Sequence, residues 1–327
     1  MRNAGELLTV NYHGQPLSNT PSRSQPLLSI ITPTLNAGGK IAATVASVLR
    51  QDPSLIEYQI VDGGSTDDTV DVVRRMAPDV DVTSEPDAGI YDAINKGIAR
   101  SRGRFFYVLG AGDVLRHGIV AQLAKRLEAM PANSILYGNV YWASLQRLYG
   151  GRFTKHNLTL RCICHQAMFI DRSLVEMIGI YDLRYPISAD WHFNIRCFAD
   201  SRVNMQYIDE IIADYEGGGI SDTGRDTQFQ ANLPELIRDS FGTRYFVFLK
   251  LYRAYRRISG IRLRGIQSRL RRLTVQILRK PPSSSLSPSQ LHRDGERVPL
   301  RLRSGQAPAG EGRSRENTAF TGGASDS

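Results

Sequence analysis

Leu27-Leu28-Ser29-Ile30-Ile31-Thr32-Pro33-Thr34-Leu35-Asn36 is the stretch on which the fold turns. An apolar run this short, stopped by a proline, reads as a buried strand rather than a helix. Working outward, Ile41, Val45, Val48 and Leu49 recur at helical spacing, and Tyr58-Gln59-Ile60-Val61 makes a second strand ending at Asp62-Gly63-Gly64. A helix over 67–76, a weak strand over 80–84, a helix over 90–101 with Ile90, Ile94 and Ile98 on one face, and a strand from Arg104 to Leu109 follow. This alternation predicts an α/β fold with a mixed, mostly parallel central sheet. Right-handed crossovers then bring the loops after the strands to one rim. Farther along, Leu136–Trp142 and Gln146–Phe153 read as a hairpin, Ala167–Ile170 as a short strand, 190–199 as helix and 205–215 as strand.

The 327 residues are 41% hydrophobic, 22% charged and 8% aromatic, which excludes collagen-like, coiled-coil and wholly disordered chains. No apolar run approaches the ~18–20 residues of a membrane span. The patch Leu7-Leu8-Thr9-Val10 is too short for a signal-peptide core. Cys162, Cys164 and Cys197 do not make a disulfide framework, and they lack a second ligand pair at zinc-finger spacing. They are expected to pack as small hydrophobes. The formal net charge of +9 comes from one segment, since residues 241–280 carry 12 Lys or Arg and no acid. The chain therefore divides into a polar leader (1–26), a main domain (27–240, halves 27–115 and 116–240), basic amphipathic helices (241–280) and a Ser-, Pro- and Gly-rich tail (281–327) expected to be disordered.

Four strings in the first half can carry chemistry. Thr32-Pro33-Thr34-Leu35-Asn36 offers hydroxyls and an amide at a strand end, or simply a turn with Asn36 capping the next helix. In Asp62-Gly63-Gly64-Ser65-Thr66-Asp67-Asp68, the two glycines permit close approach of a ligand; Ser65 as helix cap explains the following acids but not Asp62. Glu85-Pro86-Asp87-Ala88-Gly89 turns into a helix carrying Asn95 and Lys96 off its isoleucine stripe. Gly110-Ala111-Gly112-Asp113 sets one carboxylate among small residues, as a turn or as a cation ligand.

These strings, in this order, followed by Cys164-His165-Gln166-Ala167-Met168-Phe169, Ser188-Ala189-Asp190-Trp191-His192-Phe193-Asn194 and Gly217-Gly218-Gly219-Ile220-Ser221, resemble the family 2 glycosyltransferases over roughly residues 27–220. Within that family they look like the enzymes of bacterial exopolysaccharides and surface glycolipids. The resemblance implies a GT-A fold and an inverting transfer of sugar from a nucleotide-sugar donor to a hydroxyl of a lipid-linked or polysaccharide acceptor. It implies that Thr32, Pro33, Thr34 and Asn36 line the base and ribose pocket, that Asp62, Gly64, Asp87 and Asn95 serve the same pocket, and that His165 and Gln166 reach the sugar or diphosphate. It makes Asp113 the ligand of Mg2+ or Mn2+, and Asp190 the general base. Gly112 stands where many relatives carry a second acid. On its own, Asp190 also reads as a first-turn acid behind Ser188 as cap.

Two other classes compete. A sugar nucleotidyltransferase would need a Gly-rich loop and a basic residue directly after the first strand, and Thr32–Asn36 has neither. A basic adaptor on a degenerate transferase domain would draw on Gly112. The 241–280 segment, with Tyr245, Phe246, Phe248, Tyr252 and Tyr255, fits an anionic membrane surface better than nucleic acid, so nucleic acid is not an expected partner. A cytoplasmic enzyme, peripheral on the inner face of the cell membrane, is the expectation.

Overall fold

The computed structural model describes residues 25–219, 224–257 and 259, all within the first of two units, Met1–Gly265. Nearly all of the leader, the second basic helix expected around Ile266–Ile277, and the tail from Pro281 lie outside the described residues. The element order is β1 (Leu28–Thr34), α1 (Gly38–Leu49), β2 (Ile56–Asp62), α2 (Thr69–Met76), β3 (Asp81–Ser84), α3 (Ile90–Arg100), β4 (Phe105–Val108), β5 (Val114–Leu115), α4 (Ile119–Glu128), β6 (Ser134–Trp142), β7 (Arg147–Tyr149), α5 (Lys155–Leu158), β8 (Met168–Asp171), α6 (Leu174–Ile178), α7 (Ala189–Ala199), β9 (Asn204–Tyr215) and α8 (Thr227–Phe241). A further helix, α9, covers 243–257.

One mixed sheet runs β3-β2-β1-β4-β8-β6-β9-β5, with β7 paired to β6. β1 lies parallel to β2 and β4, and β2 parallel to β3. β8 is antiparallel to both β4 and β6, so β6 regains the direction of β1, and β9, parallel to β6, keeps it. The ends of β1, β2, β3, β4 and β9 and the start of β8 therefore share one rim. Burial on both faces explains why β1 reads as a continuous apolar run. Ile31 shares a core with Val61, Ile94 and Ile98, while Leu28 and Ile30 share another with Phe105, Tyr107, Val120 and Leu123.

Two local expectations are corrected. Pro33 does not stop β1, which continues to Thr34 in register with Asp62 of β2. On the other side β4 ends its pairing at Ile31↔Val108, so the missing N–H at Pro33 breaks no ladder there. Ser65 is not a helix cap either: α2 starts later, after Asp68, and the Ser65 hydroxyl turns back to Asp62.

Candidate active site

The rim is built by carboxylates that hold loops. Asp62 is fully buried. It accepts hydrogen bonds from the N–H groups of Gly64 (3.2 Å) and Ser65 (2.9 Å) and from the hydroxyls of Ser65 (2.5 Å) and Ser84 (2.6 Å). Its carboxylate thus ties the loop after β2 to the end of β3. A Cβ on Gly63 would come within 2.4 Å of the Asp87 carboxylate, so glycine is what lets those two loops meet. Asn36 adopts a left-handed φ of 48°, and its side-chain oxygen accepts from the Thr66 N–H at 2.9 Å.

A cavity of about 540 Å³ opens at this rim, within the usual range for small-molecule sites. Of the residues singled out in the sequence, Pro33, Thr34, Asn36, Asp87, Asp113, His165 and Gln166 line it. Thr32, Asp62, Gly64 and Asn95 do not. Thr32 lies within 3.2 Å of the Tyr58 hydroxyl. Asn95 donates to the Tyr181 carbonyl (2.8 Å) and accepts from its N–H (3.1 Å), so it braces the segment before α7. The Thr34 hydroxyl is buried in the cavity wall with no partner among the described residues. An unmet buried hydroxyl is costly, and a bound ligand can satisfy it.

Two carboxylates meet one short turn. Asp113, only 5% exposed, accepts from Gln166 Nε2 at 2.7 Å and from the Glu216 N–H at 3.1 Å. Burial pushes its carboxyl up from the ordinary range, against those two hydrogen bonds. The adjacent His165 places Nδ1 3.7 Å from Asp190. Asp190 sits in the first turn of α7 and accepts from the Trp191 N–H at 2.7 Å, but it is not itself a lining residue. It lies against Tyr91, whose hydroxyl is pushed up by burial first and by the Asp190 carboxylate second. Ser188 occupies the cap position of α7 without a capping side-chain bond. Its N–H and that of Ile187 instead donate to Asp226, at 3.1 and 3.2 Å.

At Gly112 the structure shows what fills the place of a side chain. The residue has a φ of 104°, and a Cβ there would lie 2.4 Å from Glu216 Oε2 and 3.5 Å from Lys40 Cδ. The space of a side chain at 112 is filled by an ion pair, Lys40 Nζ to Glu216 at 3.1 Å. Lys40 is the one Lys or Arg among the described lining residues. For Mg2+ or Mn2+, which keep several waters and take phosphate oxygens, the wall offers the Asp113 carboxylate with Glu216 next to it. Among the described residues no three His, Cys, Asp or Glu side chains converge. Both Asp113 oxygens are engaged, and Glu216 is held by Lys40.

Lys40 and Glu216 were missed in the sequence, although each carried a signal. Gly38-Gly39-Lys40 falls just past the first motif, and Glu216 directly precedes the glycine triplet. Trp191 donates its indole N–H to the Leu158 carbonyl (2.7 Å) and packs on Phe229, a core role. Cys197 is buried, whereas Cys162 and Cys164 are half-buried.

Residues 29–174 match the model of Glycosyl transferase family 2. The chain is 38% identical over 220 residues to the PGL/p-HBAD biosynthesis glycosyltransferase of Mycobacterium bovis, covering 65% of this chain and 86% of that protein. It is 35% identical over 181 residues to an uncharacterized glycosyltransferase of Mycobacterium tuberculosis, covering 53% and 69%. Among solved structures, S. aureus TarS 1-349 in complex with UDP-GlcNAc aligns with a TM-score of 0.54 at 14% identity, over 65% of this chain and 67% of that one. The mannosyltransferase PcManGT from Pyrobaculum calidifontis, in complex with GDP-Man and Mn2+, aligns with a TM-score of 0.50 at 15% identity, over 79% and 85%. At those identities the structural matches speak to the fold alone. The sequence matches over most of the mycobacterial protein's length, on an α/β rim built as described, make this chain a glycosyltransferase that belongs to family 2.

Proposed function

We propose that the chain is an inverting transferase of bacterial surface glycan or glycolipid synthesis, moving a sugar from a nucleotide-sugar to a hydroxyl of a lipid-linked or polysaccharide acceptor. The observation that carries this reading is the His165-Gln166 turn, which holds Asp113 with one residue and faces Asp190 with the next, beside one cavity. The role of the mycobacterial relative in PGL/p-HBAD biosynthesis supports this reading.

In this reading Thr34, Asn36 and Asp87 receive the nucleoside. Lys40 leaves Glu216 and meets the diphosphate, supplying positive charge where charge develops. The acceptor oxygen attacks the anomeric carbon, its proton passes to the Asp190 carboxylate, and the bond to the diphosphate breaks with its electron pair on the leaving oxygen. Asp113, which also fixes Gln166 and the start of the glycine segment, would hold a divalent ion together with diphosphate oxygens and waters, and that ion would stabilise charge on the leaving diphosphate. The basic segment from residue 241 onward holds the enzyme on the inner membrane face, near a lipid-linked acceptor. Among the described residues no helix is long and apolar enough to cross a membrane.

Asp190→Asn tests the base. Turnover should fall by about 10²–10⁴, the usual contribution of general-base catalysis, with the nucleoside diphosphate Kd unchanged. Full turnover in the variant would remove Asp190 from the chemistry.

A further inference from the structure

A second cavity, of about 820 Å³, lies between α8 and α9, away from the residues assigned above. Five cations line it, Arg225, Lys250, Arg253, Arg256 and Arg257, and no acid does among the described lining residues. One of the five is fixed by the backbone. Pro234, inside α8, has no N–H to give the Gln230 carbonyl four residues earlier. Arg253 replaces that donor, with Nη1 3.2 Å from the Gln230 carbonyl and Nη2 3.0 Å from its side-chain oxygen. The guanidinium is thereby held in the wall with N–H groups to spare. Its burial and the nearby Arg257 and Arg225 charges lower its pKa, opposed by Glu235. Like charges gathered this closely are relieved by an anion.

The same helix carries a second feature. Val247, Leu251 and Tyr255 recur every four residues and are 45%, 66% and 65% exposed, so one face of α9 is apolar and in water. Lys250, Arg253 and Arg257 recur at three and four and form a different, cationic face. An apolar face beside a cationic one on a single helix is the pattern of a helix lying in a bilayer interface. Long basic side chains there reach the headgroup level.

We propose that this cavity binds the phosphate of a membrane lipid headgroup, with Val247, Leu251 and Tyr255 seated in the bilayer surface. This rests on the membrane reading above and adds a defined site to it. The test is flotation of the full chain with vesicles of phosphatidylcholine, alone or with about one fifth phosphatidylglycerol. Arg225→Gln/Arg257→Gln is compared with a control of equal charge change on α4, Lys125→Gln/Arg126→Gln, and thermal unfolding verifies that both are folded. Wild type should float only with the anionic vesicles. The cavity variant should lose roughly twenty-five-fold in vesicle affinity, about fivefold for each of its two cations at the surface, and the control much less, since screening mutes distant charges. Equal losses in the two variants would overturn the site and leave only net charge. Retained flotation in a cavity variant that has lost calorimetric binding of inorganic phosphate, or of a single-stranded oligonucleotide, would overturn the lipid assignment. Wild type that floats with neither vesicle would overturn the membrane reading itself.

Discussion

Single residues set the charge at the rim cavity. Lys40 is paired with Glu216 and its side chain is 54% exposed, so an interaction of Lys40 with a diphosphate would belong at the low end of charge-assisted hydrogen bonds. Lys40→Met should therefore weaken nucleoside diphosphate binding about tenfold, from the ~1.5 kcal/mol such a bond contributes. Calorimetry with UDP, GDP and dTDP, each beside its free nucleoside, should show the loss confined to the diphosphates. Gly112 matters for its backbone as well as its missing side chain. Gly112→Asp places a second acid beside Asp113 at a φ of 104° and drives a Cβ into Glu216. We expect a loss of about 1–3 kcal/mol of stability from the strained backbone, measured as a lower urea midpoint. An unchanged midpoint would mean that the Lys40–Glu216 pair moves aside freely.

Among the elements, α7 and α8 are fastened together by one side chain that the sequence reading passed over. Asp226 caps α8 through the Phe229 N–H (2.9 Å) and accepts from two N–H groups ahead of α7. The same carboxylate that starts one helix therefore orients the turn bearing Asp190. Removing it costs a cap and leaves buried donors unmet, so Asp226→Ala should lose about 2 kcal/mol. Turnover should fall as well, with nucleotide affinity retained. Urea denaturation and steady-state kinetics on the same preparation separate the two effects. A stability loss with full turnover would show that the Asp190 turn is held by other contacts, such as the Asn95 bracket on Tyr181.

Across the molecule, burial makes stability depend on pH. His192 is buried, its Nδ1 lacks a hydrogen-bond partner among the described residues, and its pKa is pushed down to about 4 by burial first and by Arg196 next. The unfolded chain takes up this proton near pH 6.5, the folded chain only near 4. Stability is thus whole above the unfolded value and falls as pH drops between the two. Asp113 acts with the opposite sign, because its burial favours the protonated form. The urea midpoint should decrease from about pH 7 to about pH 5, and less so in His192→Asn; parallel curves would assign the slope to other groups.

What the sequence determined by itself was periodic or local. Alternating apolar runs specified the strands and helices of the first half, and the order of the short motifs specified the family. Both depend on residues a few positions apart. It also singled out Asp113, His165, Gln166 and Asp190, though not that one turn joins them. Tertiary structure alone decided which polar groups serve the fold and which face the cavity. Asp62 and Asn95 hold neighbouring loops through hydrogen bonds that no local pattern foretells. Lys40 and Glu216 stand far apart in the chain and meet because β1 and β9 end on the same rim. A hydrogen bond or ion pair is fixed by distance in space, and the direction of the strands, which no local pattern records, sets that distance.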